Sequence, residues 1–458
     1  MAESPWSVPA SGVRAAMQTE AEAFLQRIRA YPDDDAPRLI YADWLEEQGA
    51  VGNPEWGPER AYLIRVQIAL ARLHDEVEPD EPNATPSARA ERERARTKLH
   101  GRLLVAERDL LDSHREDWTI PFRGLATGLE FRRGFVEEVK VSVLQWIRHA
   151  HELFVAGPVR HVALLDLDRN LPLAFQCPYL NRLAALTVYA SHKGQPLARA
   201  VADSPHLAGL KRLYLGRNRF EDNSAEHLAT STNLANLEEL DLTDNELGET
   251  GARALAASSH LGNVRYLELR NNRLGPTGAE AVAGSERLTS LHRLGLAGNE
   301  IGVARLHTIS RAHDLLRVPI LDLSNNNLNA AGLHVILTRA SPMNESGVVR
   351  LQELDLGQND QLGNEGARVL AGCPHLAGLR VLRLRGCQIG DDGARALAES
   401  QYLNHLTTLD LAFNPLGDTG CRPFLKTQLR SLRHLIVPNG VTQGLRRHLE
   451  MRNLRPRE

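Results

Sequence analysis

The sequence predicts an α/β solenoid of stacked strand–helix repeats, preceded by a small α-helical domain. Three observations carry this expectation. A unit of the form LxxLxLxxNxL starts at Leu183, Leu210, Leu237, Val264, Leu291 and Val318, each 27 residues after the last, and returns at Leu351, Leu379 and Leu406. Within each unit the apolar residues first alternate, as on a short strand, and then fall at helical spacing. The first part of the chain shows helical spacing alone.

Length and composition set the frame. At 458 residues a globular chain suggests about three domains, but repeats build one elongated core by stacking, so periodicity overrides length. Hydrophobic residues make up 42% and charged residues 24%, as in an ordinary folded protein. Lys and Arg (54) nearly balance Asp and Glu (57), a net charge of −3, so no bulk field favours nucleic acid or an anionic membrane as partner. Four scattered cysteines, with no CxxC pair, suit free thiols in a reducing cytoplasm. The opening "MAESPWSVPASGVRAAMQTE" lacks a basic start followed by an apolar run, so no secretory signal is expected. No run of about 18 apolar residues indicates a membrane span.

Residues 1–18 read as a flexible start and 19–133 as the helical domain. Phe24, Leu25, Ile28 and Tyr31 share one helical face, and Leu39, Ile40, Ala42, Trp44 and Leu45 another. Pro32 and Asp33 to Asp35 part them, and Gly49 ends the second. A third helix fits "GPERAYLIRVQIALARL", and a fourth runs from about Ala88 to Ser113 beyond the acidic, proline-bearing 74–87 loop. Leu39, Tyr41 and Trp44 read as core. The acids Asp33, Asp34, Asp35 and Asp43 could imitate a metal cluster, but helix capping and a solvated turn explain them better. "FLQRIRAYPDDDAPRLIYADWLEEQG" followed by "RAYLIRVQIALARL" resembles the repeat-companion domain at the start of many bacterial leucine-rich repeat proteins. The resemblance covers about 60 residues and implies no established activity.

From residue 134 the solenoid begins, first as an irregular rung. Phe135, Val136, Val139, Val141 and Val143 alternate like a strand, and "LQWIRHAHELF" reads as a helix. His149, His151 and Glu152 suggest a zinc helix only at first sight. Histidines two apart point about 200° from each other on a helix and cannot easily share an ion.

In the regular unit Leu240 and Leu242 point to the core, while Glu239, Asp241 and Thr243 point away. The recurring asparagine (Asn218, Asn245, Asn272, Asn299, Asn326, Asn359, Asn414) needs its amide satisfied, and stacked copies can bond the backbone of neighbouring rungs. Gly248 and Gly251, echoed at later repeats, are expected to allow turn conformations before a helix carrying Ala252, Leu255 and Ala256 inward. "LDLTDNELGETGARALA" and its kin resemble the ribonuclease-inhibitor class of leucine-rich repeats over residues 159–437. This implies a leucine-rich repeat solenoid over 134–458: a horseshoe with a parallel concave sheet and convex helices. The "LRRHLEMRN" segment and the helical domain are expected to cover its two ends, because terminal rungs expose apolar edges. Cys387 stands where asparagine is expected and reads as structural. The spacing stretches to 33 between Val318 and Leu351, around the 340–347 loop.

No GxxxxGK, GxSxG or HExxH motif occurs, so no catalytic residue, metal ligand or cofactor is expected. The functional surface is instead the outward face of the strands. Its central column reads Thr187, Tyr214, Asp241, Glu268, Gly295, Asp322, Asp355, Arg383, Asp410. Aromatics and arginines interleaved with acids suit protein recognition. The candidate partner-binding residues are Tyr189, Tyr214, Asp241, Tyr266, Glu268, Arg270, Arg293 and Asp322, with the tyrosines as anchors, and Tyr214, Tyr266, Asp355 and Asp410 are not expected to support the core. The function expected is a non-enzymatic, monomeric scaffold that binds another protein. Alternatives are a regulator of a small GTPase, by analogy of fold alone, and an enzyme in the helical domain around Asp33 to Asp43.

Overall fold

The computed structural model describes residues 20–48, 57–75, 86–167, 170–189, 193–302, 312–338, 351–427 and 429–453. The expected flexible start, most of the 74–87 loop and the 340–347 loop lie outside these residues. The chain divides into two compact units, the first ending at Val188 and the second beginning at Tyr189.

In the first unit four helices, α1 (Glu20–Ala30), α2 (Ala36–Gln48), α3 (Pro58–Asp75) and α4 (Pro86–Trp118), precede strands β1 (Gly128–Arg132) and β2 (Phe135–Ser142). The strand β1 falls within the segment read as helical, and α4 runs five residues beyond Ser113. Then come α5 (Val143–Ala156), β3 (His161–Leu165), α6 (Leu171–Phe175) and β4 (Ala185–Val188). β1 and β2 form an antiparallel hairpin, and β2, β3 and β4 follow in parallel. Ser142 and Gln145 close a capping box at the start of α5, which fixes where β2 gives way to helix.

The helices α1 to α3 and strand β2 share one core: Ile28, Tyr41, Ala42, Leu45, Ile64 and Ile68 pack around Phe135, with Leu39 and Trp44 partly buried against them. Tyr41 stacks on Trp44 with centroids 5.7 Å apart. The helical segment thus covers the face of the first rung. The three-aspartate turn is spent on arginines rather than grouped around an ion. Asp33 pairs with Arg160, Asp35 with Arg72 and Arg133, and Asp43 with Arg65, while Asp34 accepts the backbone N–H of Ala36. Beneath it the fully buried Arg38 donates to Glu137 and to the carbonyl of Pro32. The outer edge of β1 is covered by side chains: Arg115 of α4 bonds the Leu129 carbonyl and Gln67 of α3 bonds that of Phe131.

The second unit alternates strand and helix. Its order is α7 (Gln195–Asp203), β5 (Arg212–Tyr214), α8 (Asp222–Thr230), β6 (Glu239–Asp241), α9 (Glu249–Ala257), β7 (Tyr266–Glu268), α10 (Gly275–Ala283), β8 (Arg293–Gly295) and β9 (Ile320–Asp322). Next are α11 (Ala330–Thr338), β10 (Glu353–Asp355), α12 (Gly363–Ala371), β11 (Val381–Arg383), α13 (Asp391–Ala398), β12 (Thr408–Asp410), α14 (Asp418–Cys421), β13 (His434–Ile436) and α15 (Gln443–Asn453). Strands β5 to β13 pair in sequence order, all parallel, each residue opposite its counterpart one repeat away. The helices pack in a parallel row. At the end α15 packs on the last rung through Leu445 and Leu449.

Two ladders lock the rungs. Asn245 Oδ1 accepts the amides of Asn218 and Phe220, both at 3.0 Å, and its Nδ2 donates to the carbonyls of Leu215 and Leu242. The same pattern recurs at Asn272, Asn299, Asn326, Asn359 and Asn414, all buried. Cys387 fits this ladder as expected: its amide donates to Asn414 Oδ1 and its thiol to the Leu356 carbonyl at 3.1 Å. The second ladder was not foreseen. Ser231, Ser258, Ser285 and Ser400 each donate a hydroxyl to the carbonyl 29 residues earlier, at 2.5–2.6 Å.

The role expected of Gly248 and Gly251 needs correction. Neither has positive φ, and Gly251 lies inside α9. A Cβ there would meet Asp222 Oδ1 at 2.7 Å, so this glycine serves helix-to-helix approach. At Gly275, the counterpart of Gly248, the expected turn freedom is used, with φ 61°. The left-handed conformation also falls on the residue before each ladder asparagine or cysteine: Arg217, Asp244, Asn271, Gly298, Asn325, Gln358, Gly386 and Phe413 all have φ between 52° and 67°.

Candidate protein-interaction face

The face of β5 to β13 turned away from the leucine core carries the candidate residues in columns. Strand pairing sets Arg212, Glu239, Tyr266, Arg293, Ile320 and Glu353 side by side, and Tyr214, Asp241, Glu268, Gly295, Asp322, Asp355, Arg383 and Asp410 in the row beside them. Adjacent members of a column are separated by about 4.8 Å, the spacing of neighbouring strands.

Four of the candidates come together around Gly295. Arg293 Nε donates to Glu268 Oε1 at 2.7 Å, and Arg270 reaches Asp322 Oδ2 at 2.8 Å across the intervening rung. Beside Arg293, which turns to Glu268, that rung presents only Gly295 and Ala297 on this side, so nothing blocks the span. Glu268 leans into the space a side chain would fill: a Cβ on Gly295 would stand 1.8 Å from Glu268 Oε2. Burial pushes the Glu268 carboxyl above its ordinary pKa, and Asp241 and Asp322 push the same way against the pull of Arg293. Asp355 is also raised, by burial and then by its neighbours Asp322 and Asp410 against Gly357 and Arg383.

The tyrosines lie apart. Tyr266 is 36% exposed, with its ring 6.0 Å from that of His292 in an edge contact. Tyr214 is half-buried and donates its hydroxyl to Glu239 at 3.0 Å. Glu239, not among the candidates, therefore sits between these two, bonded to one and opposite the other in register. Tyr189, at the start of the unit, is 46% exposed.

The expectation that Asp355 and Asp410 could change with little effect on stability is corrected. Asp241, Asp322, Asp355 and Asp410 each accept the backbone N–H two residues on, at 2.8–2.9 Å, and so hold the turn that ends their strand. Sequence reasoning also missed Phe413 and Arg385. Phe413 is 64% exposed in the left-handed conformation, and the Arg385 guanidinium lies 4.1 Å from its ring centroid. The sequence signal was a bulky aromatic where other repeats place Gly, Asn, Asp, Gln or Arg.

The Leucine Rich repeat family model matches residues 233–256, 260–283, 351–371, 377–398 and 402–425. With the strand–helix stacking above, the second unit is a leucine-rich repeat solenoid. No curated protein matches the sequence. Among solved structures, a chain of the yeast Rad7 and Elc1 complex is similar at 15% identity, over 66% of this chain and 81% of that one, with a TM-score of 0.38. An internalin (inlF) from Listeria monocytogenes is similar at 17% identity, over 54% of this chain and 79% of that one, with a TM-score of 0.26. Likenesses this distant say nothing of partner or activity.

Proposed function

We propose that this protein is a non-enzymatic scaffold that binds another protein on the outward face of the sheet in its second unit. The observation that carries the reading is the layout of that face. Exposed Tyr266 and half-buried Tyr214 lie on rungs to one side of Gly295, over which the Glu268–Arg293 and Arg270–Asp322 pairs close. Large rings with satisfied polar neighbours bury much area at little entropic cost, as recognition anchors do. The regular strand–helix repeat supports the ribonuclease-inhibitor class for the array. The core shared by α1 to α3 and Phe135 supports a repeat-companion role for the helices. The four cysteines are buried free thiols, which suits a monomer in a reducing cytoplasm. Among the described residues, no helix is long and apolar enough to cross a membrane.

The test is a pull-down with mass spectrometry, comparing the parent with Tyr266→Ala and Tyr214→Ala. A partner captured by the parent and weakened roughly 30-fold by either substitution supports the face, at about 1.4 kcal/mol per tenfold. A partner held equally by both variants places the site elsewhere.

A further inference from the structure

On the outward side of the first unit's sheet, a hydroxyl, an imidazole and a carboxylate stand in line. Pairing of β2 with β3 sets Glu138 opposite His161, and pairing of β3 with β4 sets Thr187 one step along, diagonal to His161. His161 Nδ1 lies 3.1 Å from Glu138 Oε2, and its Nε2 lies 2.8 Å from Thr187 Oγ1. One tautomer satisfies both contacts: Nδ1–H donates to the carboxylate, leaving Nε2 to accept from the threonine hydroxyl. Glu138 also accepts from Arg132 at 3.2 Å. The hydrogen bond from His161 is the chief reason its carboxyl is held down to about 2, with Arg132 adding to it, so it is ionised at neutral pH. The His161 and Glu138 side chains are 17% and 13% exposed, so solvent competes weakly for these bonds without being shut out.

We propose that Thr187, His161 and Glu138 form a nucleophilic acyl-acceptor site that takes activated carboxylic esters. It rests on residues of the first unit alone and stands or falls independently of the protein-binding face. In the step proposed, Thr187 Oγ1 bonds to the ester carbonyl carbon as its proton passes to His161 Nε2. Glu138 steadies the imidazolium through Nδ1–H. The carbon–oxygen bond to the leaving group then breaks, and the phenolate or alcohol leaves with the electron pair and takes up the proton. Thr187 is left as an ester. The amides of β3 and β4 are occupied by the strand ladder, so the developing oxyanion gains little from the backbone. That restricts the substrate to esters whose leaving group is already a weak base.

The full-length protein is incubated with p-nitrophenyl acetate, following p-nitrophenolate release and mapping the acetyl group by peptide mass. The expected result is one acetyl on Thr187 with a matching burst. His161→Ala should slow it at least about 100-fold, in the range general-base assistance supplies. Thr187→Val should abolish the burst, while Thr187→Ser, which keeps the hydroxyl, should retain it. Circular dichroism checks that each variant is folded. An unmodified Thr187 in the parent, acetylation at parent rate in His161→Ala, or a burst that survives in Thr187→Val would overturn the proposal.

Discussion

Arg270 and Asp322 are bonded at 2.8 Å although a whole rung of the sheet lies between theirs. The bond exists because the rung between, that of Gly295, offers no side chain in the way. Glu268 uses the same gap from the other side. A single glycine thus sets the geometry of four charges.

This relationship predicts the effect of filling the gap. Gly295→Leu should displace both Glu268 and Arg270 and weaken the partner at least tenfold. The Arg270 side chain is 47% exposed, so the pair itself should contribute under about 1 kcal/mol to stability. A double-mutant cycle with Arg270→Ala and Asp322→Ala, read by urea denaturation, checks the size of the coupling. A coupling above about 2 kcal/mol would contradict the picture of a solvent-screened bridge.

The acids of the central column should separate into stability and binding effects. Asp355 and Asp410 hold the amides of Gly357 and Ala412, so alanine at either should cost about 1 kcal/mol, in the range of one hydrogen bond. Their effect on partner affinity should be only a few-fold and largest at low salt. Tyr266→Ala should do the reverse: a large loss of affinity with little change in melting temperature. Thermal melts and titrations of the same variants give both readings.

Within the rungs, Asn245→Ala should be among the most damaging single changes in the array. It removes a group that accepts two amides and donates to two carbonyls in a buried turn, leaving them unpaired at a cost of about 2–4 kcal/mol. Cys387→Asn should be tolerated, because every other described rung from Asn218 to Asn414 holds asparagine there. Chemical denaturation of the two variants tests the contrast, and equal losses would contradict it.

The strand columns and the asparagine ladder were legible in the sequence because each depends on one residue recurring at a fixed interval. The alternation of Leu240 and Leu242 alone decides which way Asp241 points. The bridge from Arg270 to Asp322 was not legible, since it depends on the absence of a side chain at a third position. Nor was the hydroxyl ladder: Ser231 and its counterparts recur at several rungs, but serine at a helix end reads as an ordinary turn residue. In the first unit, the aspartates at 33 to 35 were legible as a turn, while two of their arginine partners, Arg133 and Arg160, lie 100 and 127 residues from Asp33.

Phe413 offers a test that separates function from folding. A bulky residue at φ 57° is strained, and its ring is 64% exposed, so little packing offsets the strain. Phe413→Asn should therefore raise stability by roughly 0.5–1 kcal/mol, asparagine being the residue that adopts this conformation at Asn271 and Asn325. If the Arg385–Phe413 pair belongs to the proposed protein-binding face, the same variant should lose affinity. A destabilised Phe413→Asn would show instead that the ring's contact with Arg385 outweighs its strain.

The last prediction concerns the buried Arg38–Glu137 pair in the first unit. Burial pushes the Glu137 carboxyl up, and the adjacent Arg38 opposes that shift. Removing Arg38 alone leaves a buried carboxylate without its main counter-charge, so Arg38→Met should cost about 3–5 kcal/mol. The double variant Arg38→Met/Glu137→Leu should recover most of that loss, because neither charge then needs solvation. The single variant also carries a pH signature. A carboxyl whose folded pKa is raised destabilises fully above that pKa. The penalty is relieved as pH falls from it towards the unfolded value of about 4.3. The deficit of Arg38→Met relative to the parent should thus shrink as pH is lowered from 7 towards that value. Urea denaturation of the parent, single and double variants at both ends of that range measures it. A deficit that grew with acid would mean that Glu137 gains another cation when Arg38 is gone.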